Sequence, residues 1–270
     1  MEKNAVNPDV DRLLEVAHLA KRYSSSGTLA IEDVTLDVRR SEFVSIVGPS
    51  GCGKTTLLKT ICGLLQPTSG SVTLDGKVVT EPPPEMVLVF QDYARSLFPW
   101  LTVEGNVSFP LKKKSLEAAD KRRAIGDALR AVSLEGFAKQ YPWQLSGGMQ
   151  QRVAIARAIA FQPEILLLDE PFASVDALTR ADLEDLTLNL RDTLGITMLL
   201  VTHDIDEAVY LSDRVYVLSP PPSVVVQSFD IPLGRERDQE GTRSDARFLG
   251  LRNAIHHLIG RPRPSVAAVS

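Results

Sequence analysis

Three stretches of this chain carry residue types that can hold and cut phosphate. Gly48-Pro49-Ser50-Gly51-Cys52-Gly53-Lys54-Thr55 has the spacing G-x-x-x-x-G-K-T, directly after the apolar run Phe43–Val47 and before Thr56-Leu57-Leu58. Glycines let such a loop wrap until its backbone N–H groups converge on phosphate oxygens, and the helix start behind it adds partial positive charge. Lys54 offers a point charge to the β and γ phosphates, and Thr55 a hydroxyl to Mg²⁺. The second stretch is Asp169-Glu170, closing the apolar run Ile165–Leu168. Ligands of open α/β sheets sit at the carboxyl ends of strands, so Asp169 would reach the metal through a water and Glu170 would orient and deprotonate the attacking water. A buried carboxylate pair without a nearby cation or substrate would be costly. The third is Leu145-Ser146-Gly147-Gly148-Met149-Gln150-Gln151-Arg152. Ser146 suits a helix N-cap, and Gly147 and Gly148 permit close backbone approach, a second anion site. Two anion-binding helix starts in one chain suggest a phosphate gripped by both.

These residues need strands and helices to place them. Phe43–Val47, Met86–Phe90, Ile165–Leu168 and Thr197–Val201 are short and apolar, the pattern of strands buried on both faces of a parallel sheet. Leu183, Leu186, Leu190 and Leu194 mark a helix between the last two, stopped by Gly195. Ser71–Leu74, Asp75-Gly76 and Lys77–Val79 read as a hairpin, since Asp-Gly supplies the positive φ of a primed turn. With Glu32–Val38 it predicts a small antiparallel sheet. From about Leu101 to Pro142 the chain is helix-rich, with Ile125, Ala128, Leu129 and Val132 as an apolar stripe. After the Pro220-Pro221-Pro222 loop and a charged stretch, Phe248, Leu251, Ile255 and Leu258 predict a terminal amphipathic helix on which His256 and His257 are solvated.

The 270 residues are 44% hydrophobic and 24% charged, which excludes disorder and fibrous repeats. Lys plus Arg number 30 against 34 Asp plus Glu, a net charge of −4, without the basic footprint of nucleic-acid binders. No window reaches the roughly 18 apolar residues of a membrane span, and Met1-Glu2-Lys3-Asn4 opens no signal peptide. Any link to a membrane is therefore expected through a partner. Cys52 and Cys62 are too few for a disulfide scaffold and are expected to be plain thiols in a reducing compartment.

The segment Leu145–Arg152 resembles the signature of ATP-binding cassette (ABC) ATPases, and the likeness extends from about Leu13 to Phe229. The resemblance implies an α/β fold: a P-loop (RecA-like) ATPase core with a small antiparallel β subdomain and an inserted α-helical subdomain. The cassette would span 12–229, with the helical insertion at about 101–145, followed by a C-terminal extension, 230–270. It implies that Tyr23 stacks on adenine, that Gly48, Pro49, Ser50, Gly51, Cys52, Gly53, Lys54, Thr55 and Thr56 bind ATP, and that Thr55, Gln91 and Asp169 attend Mg²⁺. Ser174-Val175-Asp176 matches the loop after the acidic strand, where the family usually has Leu at position 175, and the resemblance implies that Asp176 belongs to the nucleotide-binding set. Cassettes of this family pair head to tail, so Ser146, Gly147 and Gly148 would contact the γ phosphate held by the other protomer. Glu170 would be the general base, His203 would bind the γ phosphate, and Gln91 would report to the partner.

Without a spanning segment, the membrane part would be separate permease subunits, as in bacterial importers, fed indirectly by a periplasmic or lipoprotein solute-binding protein. The chain would pair as a homodimer on the cytoplasmic face of the inner membrane. The aromatics of Asp92–Trp100 would either pack in the core or form a groove for a short permease helix. Leu97–Trp100, Asp176–Arg180, Thr202–Leu211 and Thr242–Phe248 are similar to the nitrate, sulfonate and taurine importers. The alternative, a soluble cassette acting on nucleic acid or ribosomes, is opposed by the acidic balance, the short helical insertion and the single phosphate loop and signature.

Overall fold

The structure, a computed structural model, describes residues 11–24, 27–92 and 96–259. Tyr93, Ala94 and Arg95 of the expected aromatic groove, and 260–270 of the C-terminal extension, lie outside the described residues. Two compact units divide the chain: the described residues up to Pro82 with those from Leu200 onward, and Pro83–Leu199. The boundary falls inside strand β8 (Thr197–Thr202).

In the first unit, β1 (Arg12–Arg22) pairs antiparallel with β2 (Leu29–Arg39) on one side and β4 (Ser69–Leu74) on the other. β4 turns into β5 (Lys77–Val78) through Asp75 and Gly76, whose φ values of 49° and 72° are the left-handed pair expected of this hairpin. β2 continues through β10 (Ser223–Asp230) and β9 (Arg214–Leu218) to β3 (Phe43–Val47). The order β5-β4-β1-β2-β10-β9-β3 makes the antiparallel strands continuous with the strand that feeds the phosphate loop. β3 is buried at all five positions, as its apolar run requires, and helix α1 (Lys54–Ile61) follows it. β1, β9 and β10 have no counterpart in the sequence-based expectations.

β9 opens on a charge. Arg214 donates to the Asp37 carboxylate at 2.9 Å and to the Glu42 carboxylate at 2.9 Å, with its side chain 11% exposed. Burial works to raise the Asp37 pKa, but the hydrogen bond and charge of Arg214 outweigh it and hold the carboxyl below its usual range. Removing one partner from a poorly solvated cluster strands the others. Arg214→Ala is expected to destabilise the protein by about 3 kcal/mol, read as a lower urea midpoint with unchanged m-value.

In the second unit, β6 (Met86–Val89) and β7 (Ile165–Asp169) run parallel, Val89 opposite Leu168. The strand stops before Phe90, one residue short of the expected run. The helical insertion contains α2 (Val103–Ser108) and α3 (Ala118–Ala131). Ile125, Ala128 and Leu129 are buried as expected, and buried Val132 caps the end. α4 (Gly147–Ala160) precedes β7, and α5 (Ala177–Leu194) follows it, ending on Gly195 at φ 63°.

After β8 the first unit resumes with α6 (Ile205–Leu211), β9 and β10, then α7 (Gly241–Ser244) and α8 (Ala246–Ile259). Phe248 and Ile255 are the buried anchors of α8, Leu251 and Leu258 are half-buried, and His256 and His257 are exposed. No helix among the described residues is long and apolar enough to cross a membrane.

Candidate functional site

The first unit carries the phosphate loop. Gly51 and Gly53 take φ values of 76° and 96°, a region that favours glycine, and these turns wrap the chain from β3 into α1. A Cβ on Gly48 would lie 2.9 Å from Cys52 Sγ and 3.1 Å from Leu218 Cβ, so the loop tolerates no side chain there. Gly53 caps α1 without a side-chain hydrogen bond, so the first-turn N–H groups face no competing side-chain acceptor at the cap. Lys54 is buried and donates to the carbonyls of Gly48 at 3.0 Å and Pro49 at 3.2 Å, which holds its ammonium over the loop. Cys52 and Cys62 are both buried thiols, as expected, and share no disulfide. Thr55 and Thr56 are half-buried on the first turn, and the Tyr23 hydroxyl meets Thr56 Oγ1 at 2.9 Å. That bond fixes the half-buried Tyr23 ring beside α1.

Also in this unit, His203 stands exposed at the end of β8. Its neighbours are tightly held. Thr202 Oγ1 donates to Glu207 Oε2 at 2.6 Å and accepts from the Asp204 N–H at 3.0 Å, while Asp204 caps α6 through the N–H groups of Asp206 and Glu207. Lys54→Ala removes a charge-assisted donor. It is expected to raise the dissociation constant for ATP about 10- to 100-fold, checked by equilibrium titration.

The second unit carries the carboxylates and the signature segment. The β6–β7 register places Gln91 level with Glu170, each two residues beyond the Val89–Leu168 pair. The Gln91 amide Nε2 donates to Glu170 Oε2 at 3.3 Å. Asp169 is buried at the last position of β7, and Glu170 follows at φ 44°, a left-handed conformation rare outside glycine. Ser146 caps α4 as expected, accepting from the Met149 N–H at 3.3 Å. Asp176 caps α5: its carboxylate accepts from the Thr179 N–H at 3.0 Å and the Thr179 hydroxyl at 2.7 Å. These bonds hold the exposed Asp176 carboxyl below its usual pKa.

Thr179 does more than cap. A Cβ added to Gly148 would sit 2.2 Å from the Thr179 Cγ2 methyl. Glycine at 148 is therefore required by packing, and Thr179 ties the start of α4 to the loop holding Asp176. The i, i+3 spacing from Asp176 to Thr179 resembles a capping box and is the signal that could have singled this residue out. An open recess of about 270 Å³ begins at Ser146 and Gly148 and is walled by Arg152 and Thr179.

Thr55, Gln91 and Asp169 present hydroxyl, amide and carboxylate oxygens, the hard donors that suit Mg²⁺. The amide orientation that donates to Glu170 leaves the Gln91 carbonyl oxygen for a cation. By chemistry these donor types suit the ion, Thr55 within the first unit and Gln91 and Asp169 within the second.

The second unit also holds an apolar cavity of about 370 Å³, lined by Phe90, Phe98, Phe109, Ala154, Arg157 and Phe161. Phe98 packs on Phe109 with centroids 4.4 Å apart and on Trp100 at 5.5 Å, and Trp100 is 71% exposed. Arg157 donates to the Ser96 carbonyl at 2.6 Å and hydroxyl at 2.7 Å, and burial lowers its pKa.

Residues 31–173 match the family described as ABC transporter, a span that includes the phosphate loop, Gln91, Ser146–Gly148 and Asp169-Glu170. An uncharacterized ABC transporter ATP-binding protein of Methanocaldococcus jannaschii is 44% identical over 96% of this chain and 97% of its own length. The nitrate import ATP-binding protein NrtD of Synechococcus elongatus is 43% identical over 83% of this chain and 82% of its own. Among solved structures, a dimeric ATP-binding cassette in a post-hydrolysis state bound to ADP and Pi aligns with a TM-score of 0.70. It is 32% identical and covers 82% of this chain and 100% of that one.

Proposed function

The chain belongs to the ABC transporter family, and from that premise we propose that this ATPase is the ATP-hydrolysing subunit of an importer for a small solute of the nitrate, sulfonate or taurine kind. The observation that carries the reading is the pair of anion-ready helix starts. One is the left-handed glycine loop opening α1, and the other is the Ser146-capped, side-chain-free start of α4. Similarity to a nitrate import ATP-binding protein supports the solute class.

In this reading residues 12–229 are the cassette, 101–145 its helical insertion and 230–270 an extension. Tyr23 stacks on adenine, Lys54 and the backbone N–H groups of the 48–56 loop, Pro49 excepted, hold the β and γ phosphates, and Thr55, Gln91 and Asp169 would hold Mg²⁺. The ion, when bound, neutralises charge on the phosphate oxygens. Glu170 takes the proton of the attacking water, with Gln91 orienting its carboxylate. His203 holds the γ phosphate. Ser146, Gly147 and Gly148 close over the γ phosphate of a second copy, the loop carrying Asp176 lying at the same dimer face. Likeness to a dimeric cassette supports that pairing.

The cavity beside Phe90 and Phe98 receives the apolar face of a short permease helix, with the exposed Trp100 ring packed on Phe98. Through that contact the subunit works at the cytoplasmic face of the inner membrane, fed by a solute-binding protein on the other side. The test is co-purification with the permease subunits, reconstitution, and ATPase assay with solute-loaded binding protein. Nitrate, sulfonate or taurine is expected to stimulate hydrolysis. Recovery with ribosomes or nucleic acid and no membrane partner would instead favour the soluble reading.

A further inference from the structure

The segment after β10 does not trail away from the first unit; three arginines bring it back onto α6, the helix that follows His203. Arg252 on α8 pairs with Asp206 in the first turn of α6, Nε to Oδ1 2.9 Å. At the other end, Arg237 donates to the carbonyl of Tyr210 at 2.5 Å and to that of Gly234 at 2.9 Å, with its side chain only 1% exposed. Arg243 lies over the buried Tyr210 ring, 4.9 Å from its centroid.

Placement and charge suit a clamp. A helix of seven residues is far below the roughly 12–15 that stand alone in water, so α6 takes its geometry from what packs on it. Its first turn is acidic and meets Arg252, and its last carbonyls, the negative end of the helix dipole, meet Arg237. Arg237 also lies 3.7 Å from Asp213, whose other carboxylate oxygen accepts the Phe43 N–H at the start of β3. The same guanidinium thus stands between the C-terminal segment, the helix behind His203 and the strand that feeds the phosphate loop.

We propose that Arg237 and Arg252 are positioning residues for ATP hydrolysis, the C-terminal segment clamping α6 at both ends so that His203 and Asp204 keep their places. The proposal rests on the role given to His203 above. It assigns residues 237–252 a part in turnover, since movement of the segment would be felt at His203.

The test uses the full chain. The side-chain NMR signals of its four histidines are recorded, with that of His203 identified by His203→Ala. Arg237→Ala and Arg252→Ala are expected to move the His203 signal and lower kcat about tenfold, as displaced catalytic groups do. The ATP dissociation constant should change far less than kcat, because the phosphate loop is untouched and only the His203 contact to the γ phosphate is displaced. Arg237→Lys, which keeps a donor toward Tyr210, should recover most of kcat. Arg252 is half exposed and its loss will not unfold the chain, so Arg252→Ala decides the matter if Arg237→Ala is too unstable to assay. If His203→Ala is inactive while both arginine variants keep the wild-type His203 signal and kcat, the clamp is overturned and the ATPase assignment stands. If His203→Ala turns over normally, the role of His203 falls, and the clamp falls with it.

Discussion

Glu170→Gln is expected to bind ATP with nearly native affinity and to hydrolyse it about 10²- to 10⁴-fold more slowly, the range lost with a general base. The expectation follows from where the strand ends. β7 carries five buried residues to Asp169, and the next residue is forced to φ 44°. A non-glycine residue held there costs about 1–3 kcal/mol and persists only when its surroundings dictate it. Here the Glu170 carbonyl accepts the Ala173 N–H at 3.3 Å and its carboxylate accepts the Gln91 amide, so both backbone and side chain are tied. Glutamine keeps the volume and much of the hydrogen bonding but cannot take a proton. ATP should therefore stay uncut and the variant should accumulate as ATP-bound dimer. Single-turnover hydrolysis and light scattering measure the two halves of that claim, and native turnover would remove Glu170 as base.

What could be read without coordinates had local causes. β3, β7 and β8 are buried on both faces, so each is a continuous apolar run, and the phosphate loop, Asp169 and Glu170 inherit their positions from two of those runs. The Asp75-Gly76 hairpin and the Gly195 stop were legible because each needs a left-handed residue where glycine or aspartate stands. β1 was not legible. Its alternation breaks at His18, at φ 48°, and its pairing with β2 shifts register on either side of Leu19. β9 begins with a charge that looks like solvent-facing surface. Only Asp37 and Glu42, far away in the chain, make Arg214 a core residue. The charged stretch after Leu233 misleads in the same way. Arg237 reads as loop, yet its side chain is buried against carbonyls supplied by α6 and its own turn. Charges satisfied by distant partners leave no periodic trace.

Gly148→Ala is expected to lower hydrolysis by about 100-fold or more, and Thr179→Ser in the same chain to restore a large part of it. The first half is steric. The new methyl would stand 2.2 Å from Thr179 Cγ2, closer than real side chains approach, and Thr179 cannot rotate away without breaking its 2.7 Å bond to Asp176. Overpacking at such a site costs about 1–3 kcal/mol, which the fold can survive. Its outlet is displacement of α4, of the Asp176 loop, or of both, and in the function proposed above these are the surfaces that close on a second protomer. A shift near 1 Å in groups that meet the transition state costs about 100-fold, so turnover should fall at least that far while ATP binding to the phosphate loop persists. The second half follows from atom bookkeeping at residue 179. Serine keeps the hydroxyl that binds Asp176 and deletes the methyl that the added Cβ at position 148 would strike, so the double variant regains both loop geometry and room. Thr179→Val supplies the reverse control: it keeps the methyl, loses the hydroxyl, and should lower turnover on its own even with Gly148 in place. Equal activity of Gly148→Ala with and without Thr179→Ser would show that the two residues act independently, and the start of α4 would then owe its geometry to Ser146 alone.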